Sequence, residues 1–456
     1  MIKMMKSASV AVALLGLGAC ATYTQDSGLG GVNDDLRART GEVIARAELA
    51  EPALPFEGEI TATDVVKSAL QYNAELQASL EELNMASAAE VQAGLLINPT
   101  FEGEFVFGDE TALDFDLAFN ITQLLTRGRR IKVAKAELEE AKLKTTEAIV
   151  RTVAEAKRAA LMLWQAERAF ELMQEMYTVR KAGAEIGAEL KRVKNITDGQ
   201  YAKLKRQAVE ASLAAASAEL MVYDARERLS TIAGRPLSPV ASVGTSGLPP
   251  ASEGMEMGTF LGAVIEKNLI LEAKRAQLRA QAARLGLAKV DVWFEHLEAA
   301  AVLEREEGDV KEGFAIGLPV PIFDWGQVRT GKAKAALKAM EYQYKAMLLE
   351  LSNKADAQHR YTRMLKMADV EFGSGMRQEA EEEFAFREQQ MAAMQIGPLM
   401  LLDAKIQQLT TEYNALNLKG KYLDAEIISG ALLSGVSLEM GAVNMPSMAA
   451  AEEGGH

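Results

Sequence analysis

The chain has 456 residues, 49% of them apolar and 25% charged, with a formal net charge of −14. That acidic balance, with no basic stripe free of interleaved acids, argues against a nucleic-acid partner, which needs a Lys/Arg-rich face to meet phosphates. A single cysteine excludes an intramolecular disulfide. The three histidines, His296, His359 and His456, share no ligand spacing, and there is no HExxH and no Gly-rich phosphate loop, so no catalytic, cofactor or metal site is expected.

Residues 1–19 read as a signal peptide: Lys3 and Lys6, an apolar run from Ala8 to Leu17, then small residues before Cys20. The run is too short to span a bilayer as a mature helix. Leu17-Gly18-Ala19-Cys20 resembles a bacterial lipobox, so Cys20 is expected to become the lipidated first residue of a lipoprotein. An ordinary signal peptide with an incidental cysteine is the competing reading. Ala21, in place of an aspartate, fits sorting to the outer membrane. Residues 20–58, Gly/Asp/Ala/Thr-rich and without periodicity, read as a lipid-anchored tether.

Beyond the tether the sequence repeats itself. VVKSALQYNAELQAS (Val65 to Ser79) matches FLGAVIEKNLILEAK (Phe260 to Lys274), with Asn73 on Asn268, and ITQLLTRGRR (Ile121 to Arg130) matches PVPIFDWGQVR (Pro319 to Arg329). The offset stays between 195 and 200, as for one duplicated unit: repeat 1 over 59–247, repeat 2 over 248–434, then a flexible tail, 435–456. Each repeat carries a helix, two strands and two very long helices. No proline falls between Pro99 and Pro236 or between Pro321 and Pro398, which permits uninterrupted helix. The stretch from about Arg130 to Lys194 would be roughly 90 Å long. Its apolar positions are mostly alanine, as in AEAKRAALMLWQAERAF (Ala154 to Phe170), which suits close packing in a helical assembly. For any single turn, a solvated helix of high propensity explains the alanines as well.

The strands form two hairpins, 100–122 and 296–320. In the first, FEGEFVF (Phe101 to Phe107) is followed by ALDFDLAFNI, which places Leu113, Phe115, Leu117, Phe119 and Ile121 on one face and Asp114, Asp116 and Asn120 on the other. In the second, LEAAAVL (Leu297 to Leu303) is followed by a polar turn, EREEGDVKE, and FAIGLPV (Phe314 to Val320). Strands of about 7 to 10 residues can cross hydrocarbon when tilted. Trp293 and Trp325 flank the second hairpin as an interfacial aromatic girdle would. A soluble sheet packed on a core is the alternative for one hairpin; two, at equivalent positions of an exported chain, favour the membrane. Four strands cannot close a membrane barrel and open edges are not tolerated in lipid, so the chain must oligomerise. Glu295, His296 and Glu298 are read as interfacial and luminal residues rather than a metal cluster. The 21 methionines are read as helix packing filler.

From about Thr61 to Gly435 the chain resembles the TolC-like outer membrane efflux proteins, in the lipid-anchored group that serves tripartite pumps. The resemblance rests on the duplicated element order, on PVPIFDWGQVRTGKAKA (Pro319 to Ala335), and on LLDAKIQQL (Leu401 to Leu409) opening the last long helix. It implies a mainly α fold with a transmembrane β-barrel contribution: a long antiparallel helical α-barrel plus four barrel strands per chain, in two structural repeats. It further implies a homotrimer in the outer membrane of a Gram-negative bacterium, extending into the periplasm, with Glu102, Glu104, Asp114 and Asp116 lining the barrel lumen. Outer membrane lipid, a periplasmic adaptor (membrane fusion protein) and an inner-membrane pump would be its partners. Adaptor contacts would fall on the helix turns VKNITDGQYAKL and MQIGPLMLLDA, at Asn195, Ile196, Gln395 and Ile396. Asn195 and Gln395 stand where the family's glycine is expected, and Asn tolerates the left-handed conformation better than most residues. Asp403 falls on one of the family's pore-constricting acids and is the candidate pore gate, while Met400 occupies the place of a second. A helix N-terminal acid favoured by the macrodipole is the plainer reading of Asp403.

The function so implied is a passive, non-enzymatic exit duct for small molecules or metal ions. A type I protein secretion conduit and, from another class, a periplasmic coiled-coil scaffold or adaptor stay open as alternatives.

Overall fold

The computed structural model of the chain describes residues 28–45, 54–106, 112–244, 254–294, 298–306, 309–317, 325–373 and 375–439. The signal segment, Cys20, Glu295, His296 and His456 lie outside them, as do 318–320 at the second hairpin's end. The first half contains α1 (Leu29–Thr40), β1 (Glu59–Ile60), α2 (Ala62–Tyr72), α3 (Ala74–Gly94), β2 (Thr100–Val106), β3 (Ala112–Asn120), α4 (Ile121–Arg192) and α5 (Asp198–Ala233). The second contains β4 (Ser242–Val243), α6 (Met257–Lys267), α7 (Leu269–Phe294), β5 (Glu298–Glu306), β6 (Asp309–Gly317) and α8 (Gln327–Ala368). A π-helical turn (Asp369–Gly373), α9 (Gly375–Ala392) and α10 (Pro398–Leu433) complete it.

Local chemistry sets several of these boundaries. At the start of α2, Thr61 accepts a bond from the Asp64 N–H while the Asp64 carboxylate accepts from the Thr61 N–H, a capping box that also holds Asp64 below the usual carboxylate range. Where the sequence suggests one helix, there are two. Asn73 leaves the helix (φ −68, ψ 114), its side-chain oxygen accepts from Leu76 N–H at 2.9 Å, and its amide donates to the Ile232 carbonyl at 2.9 Å. Asn268 breaks α6 from α7 in the same conformation (φ −67, ψ 115).

The long helices also depart from the expected bounds. α4 begins directly after β3, nine residues before Arg130, and its 72 residues amount to about 110 Å. Its second-half counterpart is interrupted despite the absence of proline. Ala134-Lys135-Ala136 and Ala333-Lys334-Ala335 stand 199 apart, whereas the helix turns further on stand 200 apart. A π-helical turn takes up one added residue, and Gly373 at its end and Gly375 just beyond it lower the cost of leaving the α-helix. Lys419 Nζ, 3.0 Å from Asp369, fastens the turn to α10.

Two compact units result. One is built on Leu80–Thr145 and Ile270–Met347 and contains the four-stranded sheet. Its helical stretches are tied by Arg127 donating to the Gly94 carbonyl at 2.7 Å and Gln277 to Glu140 at 2.6 Å. The other is built on Asp35–Ser79, Thr146–Leu269 and Leu348 onward. Its core joins Ala169, Leu172, Met173 and Met176 of α4, Ala215 and Ala218 of α5, and Ile406, Leu409 and Tyr413 of α10. Each large apolar side chain so buried contributes about 1.5–3 kcal/mol. Small residues let the helices close: a Cβ on Gly420 of α10 would stand 2.3 Å from the Gln165 amide of α4. In contrast, α9 contains no buried residue.

Candidate functional site

The sheet is antiparallel, in the order β2-β3-β5-β6, so β2 and β6 are its edges. Opposed residues share a face. The register sets Phe101 against Leu117, Gly103 against Phe115 and Phe105 against Leu113; the alternate row sets Glu102 against Asp116 and Glu104 against Asp114. The four carboxylates singled out from the sequence therefore occupy one set of rungs. β5 and β6 extend that row, with Glu304 against Asp114 and Lys311 against Glu304. The strands thus continue through the stretch expected to be a polar turn, pairing as far as Glu306 with Asp309.

On the other face, the Phe115 ring stacks on Phe101 at 5.8 Å and meets Phe105 edge-on at 5.8 Å. Gly103 leaves room for it, since a Cβ there would touch the Phe115 ring at 3.4 Å. Phe101 and Phe105 are 68% and 55% exposed, an apolar face with nothing on it among the described residues. No described helix is long and apolar enough to cross a membrane. Among the described residues no group of three or more His, Cys, Asp or Glu could hold a metal ion.

The second candidate is the pair of helix turns, residues 193–197 and 393–397. Both follow one geometry. Asn195 N–H donates to the Leu190 carbonyl and Gln395 N–H to the Gln390 carbonyl, each at 2.8 Å. This six-to-one bond defines a Schellman end, in which the left-handed residue is the one before the donor. Lys194 (φ 59) and Met394 (φ 57) accordingly carry the positive φ, not Asn195 and Gln395 as the sequence suggests. Asn195 and Gln395 are exposed, Ile196 and Ile396 half-buried, and Met394 is 93% exposed. The next helices start with Thr197 in a capping box with Gln200, and with Gly397 ahead of Pro398.

Asp403, in the first turns of α10, is 2.9 Å from Arg180 Nη1 of α4. Two residues further along α10, Lys405 Nζ is 3.1 Å from Glu175. Arg180 was invisible as a partner in the sequence because 223 residues separate it from Asp403. The pair sits above a small apolar hollow lined by Val179, Gly183, Leu204, Leu399 and Leu402. With Asp403 69% exposed, the pair contributes no more than about 1 kcal/mol to stability.

An antiparallel four-stranded sheet, two long helical hairpins and matched turns define the fold of the TolC-like outer membrane channels. No protein-family model and no curated relative matches the sequence; the likeness lies in solved structures. The outer-membrane channel OprN superposes with a TM-score of 0.67 at 15% identity, covering 82% of this chain and 90% of that one. The Neisseria gonorrhoeae MtrE outer membrane channel, in its open state, gives 0.63 at 16% identity over 83% and 90%. The Campylobacter jejuni CmeC outer membrane channel gives 0.62 at 14% over 83% and 87%.

Proposed function

We propose that this chain is the outer-membrane exit duct of an efflux system, passive and non-enzymatic, which receives its cargo from an inner-membrane pump through a periplasmic adaptor. The observation that carries this reading is the sheet. It has an exposed aromatic face, a carboxylate row on the alternate rungs, and two edge strands without a further strand among the described residues. In lipid such edges must be paired. Three copies set edge to edge make a closed ring of twelve strands, with the aromatic rungs of β2 and β3 outside and their acidic rungs within. A periplasmic scaffold has no use for that face. A protein-secretion conduit shares the architecture and differs in the pump that feeds it. The two halves are copies of one unit, and the turns at Asn195, Ile196, Gln395 and Ile396 are the adaptor contacts.

The carboxylate row predicts ion selectivity. Glu102, Glu104, Asp114 and Asp116 from three copies gather on the order of a dozen charges around one lumen, a field that enriches cations and is screened over about 8 to 10 Å. Planar-bilayer reversal potentials are expected to favour cations at low salt and to lose much of that preference at high salt. The Asp114→Asn, Asp116→Asn double variant is expected to assemble normally and to be less selective. Equal selectivity in the variant would remove these residues from the lumen.

Asp403 is assigned to the gate. Asp403→Ala is expected to leave thermal stability within about 1 kcal/mol of the parent and to raise single-channel conductance. Unchanged conductance would leave Asp403 as a helix N-terminal acid only. For Cys20, which lies outside the described residues, Cys20→Ser is expected to abolish incorporation of a fatty-acid analogue. Labelling equal to the parent's would refute a lipid anchor there.

A further inference from the structure

In the unit that contains the sheet, the expectation of no basic stripe free of acids does not hold. No Asp or Glu falls between Asp116 and Glu137, a stretch that carries Arg127, Arg129, Arg130, Lys132 and Lys135. None falls between Asp324 and Glu341 either, where Arg329, Lys332, Lys334 and Lys338 stand. In a chain of net charge −14, these are the opening turns of α4 and α8, the two helices that follow the hairpins. α7 sets the two stretches level: Gln281 donates to the Ala333 carbonyl of α8 at 3.4 Å, and one turn on, Arg284 meets Glu137 of α4. Neighbouring helix ends do not neutralise them, since α3 brings one acid, Glu90, and the end of α7 brings Asp291 beside Lys289. Arg129, Lys132, Lys135, Lys332, Lys334 and Lys338 are exposed, and none has a carboxylate partner among the described residues.

Depth places these cations at the edge of the bilayer. β3 has 9 residues; tilted by about 40°, such a strand covers roughly 23 Å of depth. Ile121 to Leu125 of α4 add about 7 Å, so a hydrocarbon layer of about 30 Å ends near Leu125. The junction is apolar accordingly: Leu96, Ile97, Leu124, Leu125, Trp325 and Val328 are 52 to 75% exposed. Arg127 to Lys135 follow over about 12 Å. In a helix the Cα–Cβ bonds tilt toward the N-terminus, and α4 and α8 both start on the side of the sheet. Their long side chains therefore reach back toward the lipid phosphates, while the stems cover the apolar rim.

We propose that this belt binds the anionic headgroups of glycerophospholipids, phosphatidylglycerol being the simplest, in the leaflet that meets the helices. Charge complementarity and continuity with the aromatic face of the sheet decide the occupant. An acidic macromolecule would meet the same charges but would leave Leu124, Leu125, Trp325 and Val328 in water. A lipid covers both with one molecule, its phosphate on the lysines and its acyl chains on the apolar rim. Lysine is a compact point charge without the fixed fork of arginine, so the belt selects by charge rather than by headgroup shape. The attraction falls off within a Debye length and fades with added salt. Holding phosphates against the belt fixes how deep the sheet sits in the bilayer.

This inference rests on the reading of the sheet as membrane-inserted and names the lipid that reading leaves open. The full chain is reconstituted from detergent into phosphatidylcholine vesicles to which either phosphatidylcholine or phosphatidylglycerol, brominated on the acyl chains, has been added. Quenching of tryptophan fluorescence reads which lipid lies against the protein. Brominated phosphatidylglycerol is expected to outcompete brominated phosphatidylcholine by about fivefold or more at low salt, the worth of one engaged cation, and to lose that advantage at high salt. Lys132→Gln, Lys135→Gln, Lys332→Gln and Lys334→Gln together, all compatible with helix, are expected to lose the preference and keep the quenching. A control with the same change of net charge, Lys181→Gln, Lys203→Gln, Lys205→Gln and Lys421→Gln at exposed sites elsewhere, is expected to match the parent. Equal quenching by the two lipids in the parent, a preference kept in the first variant, or one lost equally in both variants overturns the proposal and leaves the channel reading standing. No quenching by either lipid in a folded chain contradicts the membrane reading and the proposal together.

Discussion

Phe115→Arg is expected to abolish stable insertion into the outer membrane. Phe115 lies on the aromatic face of β3, stacked on Phe101 and edge-on to Phe105, over the space that Gly103 leaves. An arginine turned toward lipid near the middle of a barrel strand costs about 2–4 kcal/mol, and losing two aromatic contacts adds about 0.5–1.5 kcal/mol each. The position recurs in every copy of an oligomer. Heat-modifiable gel mobility of the outer-membrane fraction measures the loss. Glu102→Gln, on the alternate rungs, serves as the control and is expected to insert like the parent. Normal insertion of Phe115→Arg alongside failure of Glu102→Gln would mean that the acidic face meets the lipid.

The second large effect is expected at Arg158. Its Nε and Nη2 reach the two carboxylate oxygens of Asp424 at 2.6 and 3.2 Å, tying α4 to α10; Asp424 is buried and Arg158 partly so. Burial pushes the Asp424 carboxyl up from its ordinary value, while Arg158, and at longer range Arg228, pull it down. Arg158→Met removes the main opposing charge. An unpaired buried carboxylate costs about 3–5 kcal/mol. The pH dependence follows from the raised value: the protonated form suits the buried site, so the defect is smallest in acid, below the ordinary carboxylate range near pH 4. It grows as pH rises through the folded-state value and Asp424 ionises. Thermal unfolding in detergent at pH 5 and pH 7, with Arg158→Met, Asp424→Leu as the repacked control, reads it out. A defect equal at both pH values and not relieved in the double variant would show that Arg158 acts through packing alone.

What could be read from the chain in advance was periodic. ALDFDLAFN alternates with period two and forms β3, and the alanine-rich stretches form helices, because burial on one face imposes the pattern directly on neighbouring residues. Features decided across long separations left no such mark. Asn73 breaks a helix through a bond to a carbonyl 159 residues away, and Asp403 takes its partner from 223 residues away. The π-helical turn at Asp369 lies in a proline-free stretch, and one residue added to a helix does not disturb its apolar spacing enough to be noticed. At the turns, the family's glycine position pointed to Asn195 and Gln395. The Schellman geometry instead places the left-handed residue one earlier, at Lys194 and Met394, whose side chains give no hint of it. The polar ends of β5 and β6 read as turn because alternation stops there, although the ladder continues.

If the open four-stranded sheet is one part of a closed, oligomeric pore, its edges must be covered by further copies. Mass determination of the detergent-purified full chain by light scattering, corrected for bound detergent, decides this. Three copies per particle, each particle conducting in a planar bilayer, is the predicted result. A monodisperse monomer that remains folded, with its two sheet edges unpaired, would contradict it.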